Sequence, residues 1–87
     1  MKIKKGFAKR KIAGSIVVVP VGNTIKEFNG MITLNESGSF FWDCFMNDIT
    51  AEQAVDMVTN EYEVDQETAK KDVEKFIKLL EDNDLVE

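Results

Sequence analysis

The stretch Gly30-Met31-Ile32-Thr33-Leu34-Asn35-Glu36-Ser37-Gly38 separates a β-rich first third of the chain from a helical remainder. Residues 31–34 alternate and end on an aliphatic side chain, which predicts a short strand. Asn35 is a favoured N-cap residue, and Glu36 in the following turn suits the positive end of a helix. A strand and a helix therefore meet within a few residues, so the angle between them should be tightly set.

The composition fits one small folded domain, which we expect to span residues 1–87. Hydrophobic residues make up 44% of the chain and charged residues 31%, as in ordinary soluble domains. There is no histidine and one cysteine, Cys44, so the chain cannot form an internal disulfide or a metal site of the usual His/Cys type. No apolar run approaches the ~20 residues of a membrane span. We expect a cytoplasmic protein with no membrane contact.

The net charge of -5 is unevenly distributed along the chain. Basic residues dominate 2–11, and acidic residues dominate from Glu61 onward. An acidic domain repels phosphate backbones, which argues against a nucleic-acid partner. The basic run is either a site that attracts an acidic peptide or a solvated face that protects an edge strand from aggregation, and the second interpretation is favoured.

The first third predicts two strands joined by a tight turn. Phe7 to Ile12 reads as a strand that is polar over much of its surface. Ala13-Gly14-Ser15 forms the turn, in which Gly14 can take a positive φ. Ile16 to Val21 is apolar on both faces and should be the central strand, with Pro20 marking its end.

The segment before the third strand has two interpretations. Asn29-Gly30 is a strong hairpin signal, so Ile25 to Phe28 could pair with Met31 to Leu34. Alternatively, Ile25 to Phe28 is an irregular extension of the preceding loop. The residues leave this choice open.

Three helices are predicted after Asn35. The first buries an aromatic-rich face, and Cys44 on that face should be a small buried hydrophobe. Thr50 and Gln53 form a capping box for the second helix, and Asp65 caps the third. Leu85-Val86 should fold back onto the core. The predicted fold class is α+β and winged-helix-like, with a three-stranded antiparallel β-sheet followed by three α-helices.

The sequence offers little material for catalysis. The glycines fit neither nucleotide-binding fingerprint, and the carboxylates fall on helix exteriors and at caps. No histidine is present to activate Cys44 as a nucleophile. We therefore expect a binding protein without a cofactor rather than an enzyme.

These elements resemble a known family. An apolar strand ending in Pro20 precedes the 30–38 stretch, and an apolar helix, a Thr50-Ala51-Glu52-Gln53 cap, Tyr62 and a final amphipathic helix follow. This pattern is similar to the PqqD family, the small protein of pyrroloquinoline quinone biosynthesis. It is more similar still to the PqqD-like domains found beside radical SAM peptide-modifying enzymes. The Leu34-Asn35-Glu36-Ser37-Gly38 junction is its most specific element.

The resemblance implies a RiPP recognition element, a peptide chaperone of natural product biosynthesis. Such a domain binds the leader of a ribosomally made precursor peptide and presents it to a radical SAM or other peptide-modifying enzyme. The leader adds as a strand to the third strand and lies against the third helix. Carried onto this sequence, the implied binding residues are Met31, Ile32, Thr33, Leu34, Lys71, Asp72, Lys75, Phe76 and Leu79. The longer Gly22 to Asn29 segment departs from the family pattern and could lengthen or cover this edge.

Charge on the third helix is compatible with this implication. Lys71, Lys75 and Lys78 lie at i, i+4 and i+7, so they share a helix face. That face either meets an acidic part of a leader and raises the association rate or is simply solvated.

Two other functions fit the predicted fold. A winged-helix DNA-binding module would place the third helix in the major groove, but acids outnumber bases along that helix and its flanks. A structural domain would use its open edge to pair with a second copy, and a homodimer is also compatible with leader binding.

Overall fold

The computed structural model describes residues 1–26 and 30–87. Three strands, one short 3₁₀ helix and three α-helices follow one another along the chain. The strands are β1 (Phe7–Ile12), β2 (Ser15–Pro20) and β3 (Ile32–Leu34), and the 3₁₀ helix spans Gly22–Lys26 between β2 and β3. The helices are α1 (Glu36–Phe45), α2 (Ala51–Glu61) and α3 (Gln66–Asp82).

The strands form one antiparallel sheet in the order β1-β2-β3. Ile12 pairs with Ser15 at the β1–β2 turn, and Ile16 pairs with Leu34 across β2 and β3. The predicted α+β fold of three strands followed by three helices is confirmed. Element bounds differ from the prediction by about one residue, within the range by which strand ends vary between definitions.

The β1–β2 turn places two residues in the left-handed region. Ala13 has φ 51° and Gly14 has φ 82°. Two-residue hairpin turns of this kind match the twist of the flanking strands, and they require positive φ at both central residues. The prediction for Gly14 is confirmed. The conformation of Ala13 was not predicted, because an alanine carries no sequence signal for positive φ.

The segment between β2 and β3 contains the 3₁₀ helix Gly22–Lys26. Ile25 and Lys26 belong to the 3₁₀ helix, so the hairpin interpretation is wrong for these two residues. Residues 27–29, including Phe28 and the asparagine of the Asn29-Gly30 signal, lie outside the described residues. Among the described residues, β2 is the only strand that pairs with β3.

Every α-helix begins at its predicted N-cap residue. The Asn35 Oδ1 atom accepts a hydrogen bond from the Gly38 N–H at 2.7 Å. The Gln53 N–H donates to Thr50 Oγ1 at 3.1 Å, and the Thr50 N–H donates to Gln53 Oε1 at 2.9 Å, which completes a capping box. The Thr68 N–H donates to Asp65 Oδ1 at 2.7 Å, and hydrogen bonding from the side chain and then from the backbone of Thr68 lowers the pKa of the Asp65 carboxyl.

The core lies between one face of the sheet and the helices. The Phe76 ring centroid is 5.7 Å from that of Phe41 and 6.0 Å from that of Phe45. Cys44 is buried as predicted, and burial raises the pKa of its thiol. No helix within the described residues is long and apolar enough to cross a membrane.

The two ends of the described chain are joined. Ile3 forms an antiparallel bridge with Val86, and the Lys4 N–H donates to the Leu85 carbonyl oxygen at 2.8 Å. The Met1 amino group donates to Asp48 Oδ1 at 2.7 Å, which lowers the pKa of the Asp48 carboxyl. Leu85 is fully buried, so the prediction that this segment folds back onto the core is confirmed.

Candidate functional site

β3 is an outer strand of the sheet. It pairs with β2 on one side, and the described part of the chain places no strand on its other side. Alternate residues of an antiparallel edge strand direct their N–H and C=O groups away from the sheet. Together with its three uncharged residues, Ile32 to Leu34, this makes β3 a short main-chain template that an extended peptide can pair with.

A groove of about 290 Å³ runs beside this strand. It lies between the end of β3, the first turns of α1 and the middle of α3. The residues that line it are Thr33, Leu34, Asn35, Ser37, Gly38, Phe41, Asp72, Lys75, Phe76 and Leu79.

The strand–helix junction contributes part of the groove lining. Asn35 stops β3 and caps α1, so the helix starts directly against the strand. Gly38 permits this close approach. A Cβ atom at Gly38 would lie 3.0 Å from Asn35 Oδ1, closer than most Cβ contacts, and 3.5 Å from Leu34 Cβ, an ordinary van der Waals distance.

The floor of the groove is apolar. Leu34 and Phe76 are each 6% exposed, and Phe41 is 2% exposed, so all three reach the groove from the core. Leu79 is half-buried on the α3 side. An aliphatic or aromatic side chain that entered here would displace water from already assembled apolar surface.

The α3 side of the groove carries one charge of each sign. Lys75 is exposed and Asp72 is half-buried. Neither side chain forms an ion pair within the described residues. Both are therefore available to a charged partner that lies along α3.

Six of the predicted site residues line the groove: Thr33, Leu34, Asp72, Lys75, Phe76 and Leu79. The other three lie outside its lining. Ile32 is a half-buried residue of β3 that packs against the core, and Met31, which precedes the strand, is 62% exposed. Lys71 is exposed but does not line the groove.

The three lysines predicted to share a face of α3 therefore differ in their surroundings. Lys75 alone reaches the groove. Lys78 Nζ lies 3.4 Å from Asp82 Oδ2 on the same helix, an exposed i, i+4 pair of small energetic weight.

The sequence analysis missed the groove residues contributed by the start of α1. Asn35, Ser37, Gly38 and Phe41 line the groove together with the predicted residues. The first three belong to the strand–helix junction, which the sequence analysis interpreted as a helix cap and as the most specific part of the family resemblance but not as part of the binding site. Phe41 was assigned to the core, which it also joins.

The described residues around the groove offer contacts suited to an extended peptide. In the described part of the chain, no three His, Cys, Asp or Glu side chains are placed to hold a metal ion. Cys44 is buried with a raised thiol pKa, which disfavours the nucleophilic thiolate. The site offers a strand edge for hydrogen bonds and a groove with an apolar floor and a polar rim for side chains.

Comparisons with known proteins agree with this geometry. The family profile described as "Coenzyme PQQ synthesis protein D (PqqD)" matches residues 15–86. Among solved structures, the chain is similar to TbiB1 in complex with the TbiA(beta) leader peptide. The TM-score is 0.75 and the sequence identity 25%, over 100% of this chain and 95% of that chain. Among curated protein sequences, none matches this chain.

Proposed function

The chain belongs to the PqqD family, and on that premise we propose that it binds the leader of a ribosomally synthesised precursor peptide. The leader adds as a strand to β3 and is presented to an enzyme that modifies the peptide. The observation that carries this proposal is the open edge of β3 beside a groove whose floor is apolar and whose rim is polar. The similarity to TbiB1, whose structure contains a leader peptide, supports it.

Two kinds of contact contribute to recognition of the leader. Main-chain hydrogen bonds from β3 hold the leader and are largely indifferent to its sequence. Every second side chain of the added strand faces the same side of the sheet, so alternate leader residues point toward the groove. The apolar floor formed by Leu34, Phe41 and Phe76 then selects an aliphatic or aromatic residue at that position.

The domain presents the precursor to the enzyme by holding its leader in place. A leader held on β3 keeps the rest of the precursor near any enzyme that binds the same domain, which raises its effective concentration there. The domain needs no catalytic group for this role. We propose a radical SAM maturase as the enzyme, acting in the cytoplasm where the precursor is translated. The role of Met31, Ile32 and Lys71 as further leader contacts is part of the same proposal.

The test is a titration of isotope-labelled protein with the N-terminal half of a short peptide encoded near this gene. We expect amide shifts concentrated at residues 31–34 and along 71–79. A peptide of the same composition in scrambled order and a DNA duplex serve as controls. Shifts confined to β1, or equal shifts with the scrambled peptide, would contradict strand addition to β3. Binding to the duplex that weakens steeply with salt would instead indicate a nucleic-acid module.

A further inference from the structure

A second and larger groove lies on the other side of α3. It has a volume of about 610 Å³ and runs between α2 and α3. Its lining residues are Ala51, Glu52, Val55, Asp56, Gln66, Glu67, Lys70, Val73 and Glu74. None of them lines the groove beside β3.

The floor of this groove is aliphatic. Val73 is 1% exposed and reaches the groove from the core. Val55 is half-buried, and Ala51 is exposed at the first turn of α2. A partner side chain placed here would cover apolar surface that the domain itself leaves open.

The walls of the groove carry a strong excess of negative charge. Glu52 and Asp56 come from α2, and Glu67 and Glu74 come from α3, against one lysine, Lys70. All five charged side chains are exposed, and none forms an ion pair within the described residues. Four carboxylates around an aliphatic floor complement a segment that is basic as well as apolar.

Helix geometry places the two grooves on opposite sides of α3. Residues advance by about 100° around an α-helix, so Glu67, Lys70 and Glu74 cluster on one side. Asp72, Lys75 and Leu79 then fall about half a turn away and line the groove beside β3. A peptide in one groove leaves the other accessible.

We propose that the α2–α3 groove docks a basic, amphipathic segment of the modifying enzyme while the leader occupies the groove beside β3. This inference rests on the proposed function, since it names the surface through which the leader-bearing domain meets its enzyme. Lysine or arginine side chains of that segment face the four carboxylates, and aliphatic side chains on its other face cover Val55 and Val73. Leader and enzyme then bind at the same time without sharing a contact residue.

The groove is tested first with a synthetic amphipathic helix of leucine and lysine, about five turns long. The paired substitution Glu67→Gln and Glu74→Gln removes two carboxylates from the groove. Glu63→Gln with Glu81→Gln removes the same charge from exposed residues outside it. We expect the groove variant to bind the helix about fivefold more weakly and the control variant to bind as the wild type does, because exposed charge pairs have modest individual effects.

Three results with this probe would overturn the inference. The first is a lack of binding to the wild type, and the second is an equal loss in the two variants, which would mean attraction to overall charge. The third is amide shifts that follow β3 rather than residues 51–56 and 66–74. A matching helix of leucine and glutamate should not bind, and comparable binding of that helix would also contradict the charge argument.

The second measurement uses the precursor-modifying enzyme and the leader with the same variants. We expect the groove variant to keep its leader affinity and to lose about fivefold in enzyme affinity. Unchanged enzyme affinity with intact leader binding would overturn this inference alone. A wild type that binds no leader would overturn the proposed function, while the leucine–lysine helix would still report on the groove. A homodimer that the groove variant abolishes would assign the surface to a second copy and overturn the inference.

Discussion

The two outer strands of the sheet differ in what they offer a partner. β1 (Phe7–Ile12) has six residues, and three of them, Lys9, Arg10 and Lys11, are basic. β3 has three residues, none charged, and a groove lies directly beside it. An exposed strand edge attracts any extended chain, and charged side chains are a common means of preventing this. Under the proposed function, the groove beside β3 makes that edge selective for a partner, while the charged residues of β1 discourage pairing at the opposite edge.

The basic residues of β1 do not act as one group. Lys9 pairs with Val18 and lies on the helix-facing side of the sheet, where its Nζ donates to Asp43 Oδ1 at 2.8 Å and to Ser39 Oγ at 2.9 Å. Arg10 and Lys11 are exposed. Lys9 thus ties the sheet to α1, and Arg10 and Lys11 carry the exposed charge of this strand.

The largest effect is expected from proline substitutions in β3. Ile32→Pro and Thr33→Pro each remove one N–H, and because N–H directions alternate, one of the two removes a donor that points outward. That variant should lose leader affinity by at least about 100-fold, the scale of a few main-chain hydrogen bonds. The other should mainly weaken the β2–β3 pairing. Measured leader affinity identifies the variant that has lost an outward-pointing donor, and circular dichroism shows whether each variant is still folded.

The same substitutions in β1 are the control. Arg10→Pro and Lys11→Pro should leave leader affinity unchanged wherever the protein still folds. If the folded Ile32→Pro and Thr33→Pro proteins both keep their leader affinity, β3 is not the strand that binds the leader. If instead the β1 variants lose leader affinity, the leader binds at the edge of β1.

A smaller effect is expected from the groove wall. Leu79→Ala removes half-buried apolar surface from the groove and should weaken leader binding roughly tenfold. Ile77→Ala is the matched control, because Ile77 is also half-buried on α3 but does not line the groove. Calorimetric titration gives both affinities. Equal losses in the two variants would mean that the effect acts through stability rather than through the groove.

Removing the exposed charge of β1 should make the two edges more alike. Arg10→Thr with Lys11→Thr leaves an uncharged edge that can pair with a second copy. We expect weak self-association with a dissociation constant on the order of 100 μM, since a short edge supplies few hydrogen bonds. Sedimentation equilibrium measures it. Lys71→Thr with Lys78→Thr, an equal change of charge on α3, should stay at the wild-type oligomeric state, and association of both variants would attribute the effect to net charge.

The smallest effect is expected in the β1–β2 turn. Asparagine tolerates positive φ better than alanine, so Ala13→Asn should raise the free energy of unfolding by ~0.5–1 kcal/mol. Leader affinity should not change, because the turn contributes no residue to the groove. Urea unfolding measures the gain, and a loss of stability would show that Ala13 is not strained. Ala13→Val should have the opposite sign.

Local features of the fold could be predicted, and features that depend on distant residues could not. The caps at Asn35, Thr50 and Asp65 depend on residues three positions away, so their patterns are visible in the sequence. The bridge between Ile3 and Val86 depends on how the whole chain folds, so no local sequence pattern predicts it.

The candidate site shows the same division. The resemblance implied the strand and helix that form its two sides, and Phe76 and Leu79 indeed line the groove. The resemblance did not identify Gly38 or Phe41 as groove residues. The start of α1 reaches the groove only because of the angle between β3 and α1 at Asn35, and the sequence does not specify that angle. Lys71 was implied from its place on α3, but a small rotation around the helix separates it from Lys75 and leaves it outside.

The bridge between Ile3 and Val86 also has a kinetic consequence. Ile3 and Val86 lie near opposite ends of the described chain, so their contact closes a very large loop, and the entropic cost of that closure comes before the contact contributes any stability. This pairing should therefore form late in folding and open early in unfolding, with φ-values near zero for substitutions at Ile3. The hairpin of β1 and β2 joins neighbouring residues and is suited to early formation. The β3 edge that we propose as the leader-binding site pairs with β2, which belongs to the hairpin expected to form early, so opening of the terminal bridge need not disturb that edge.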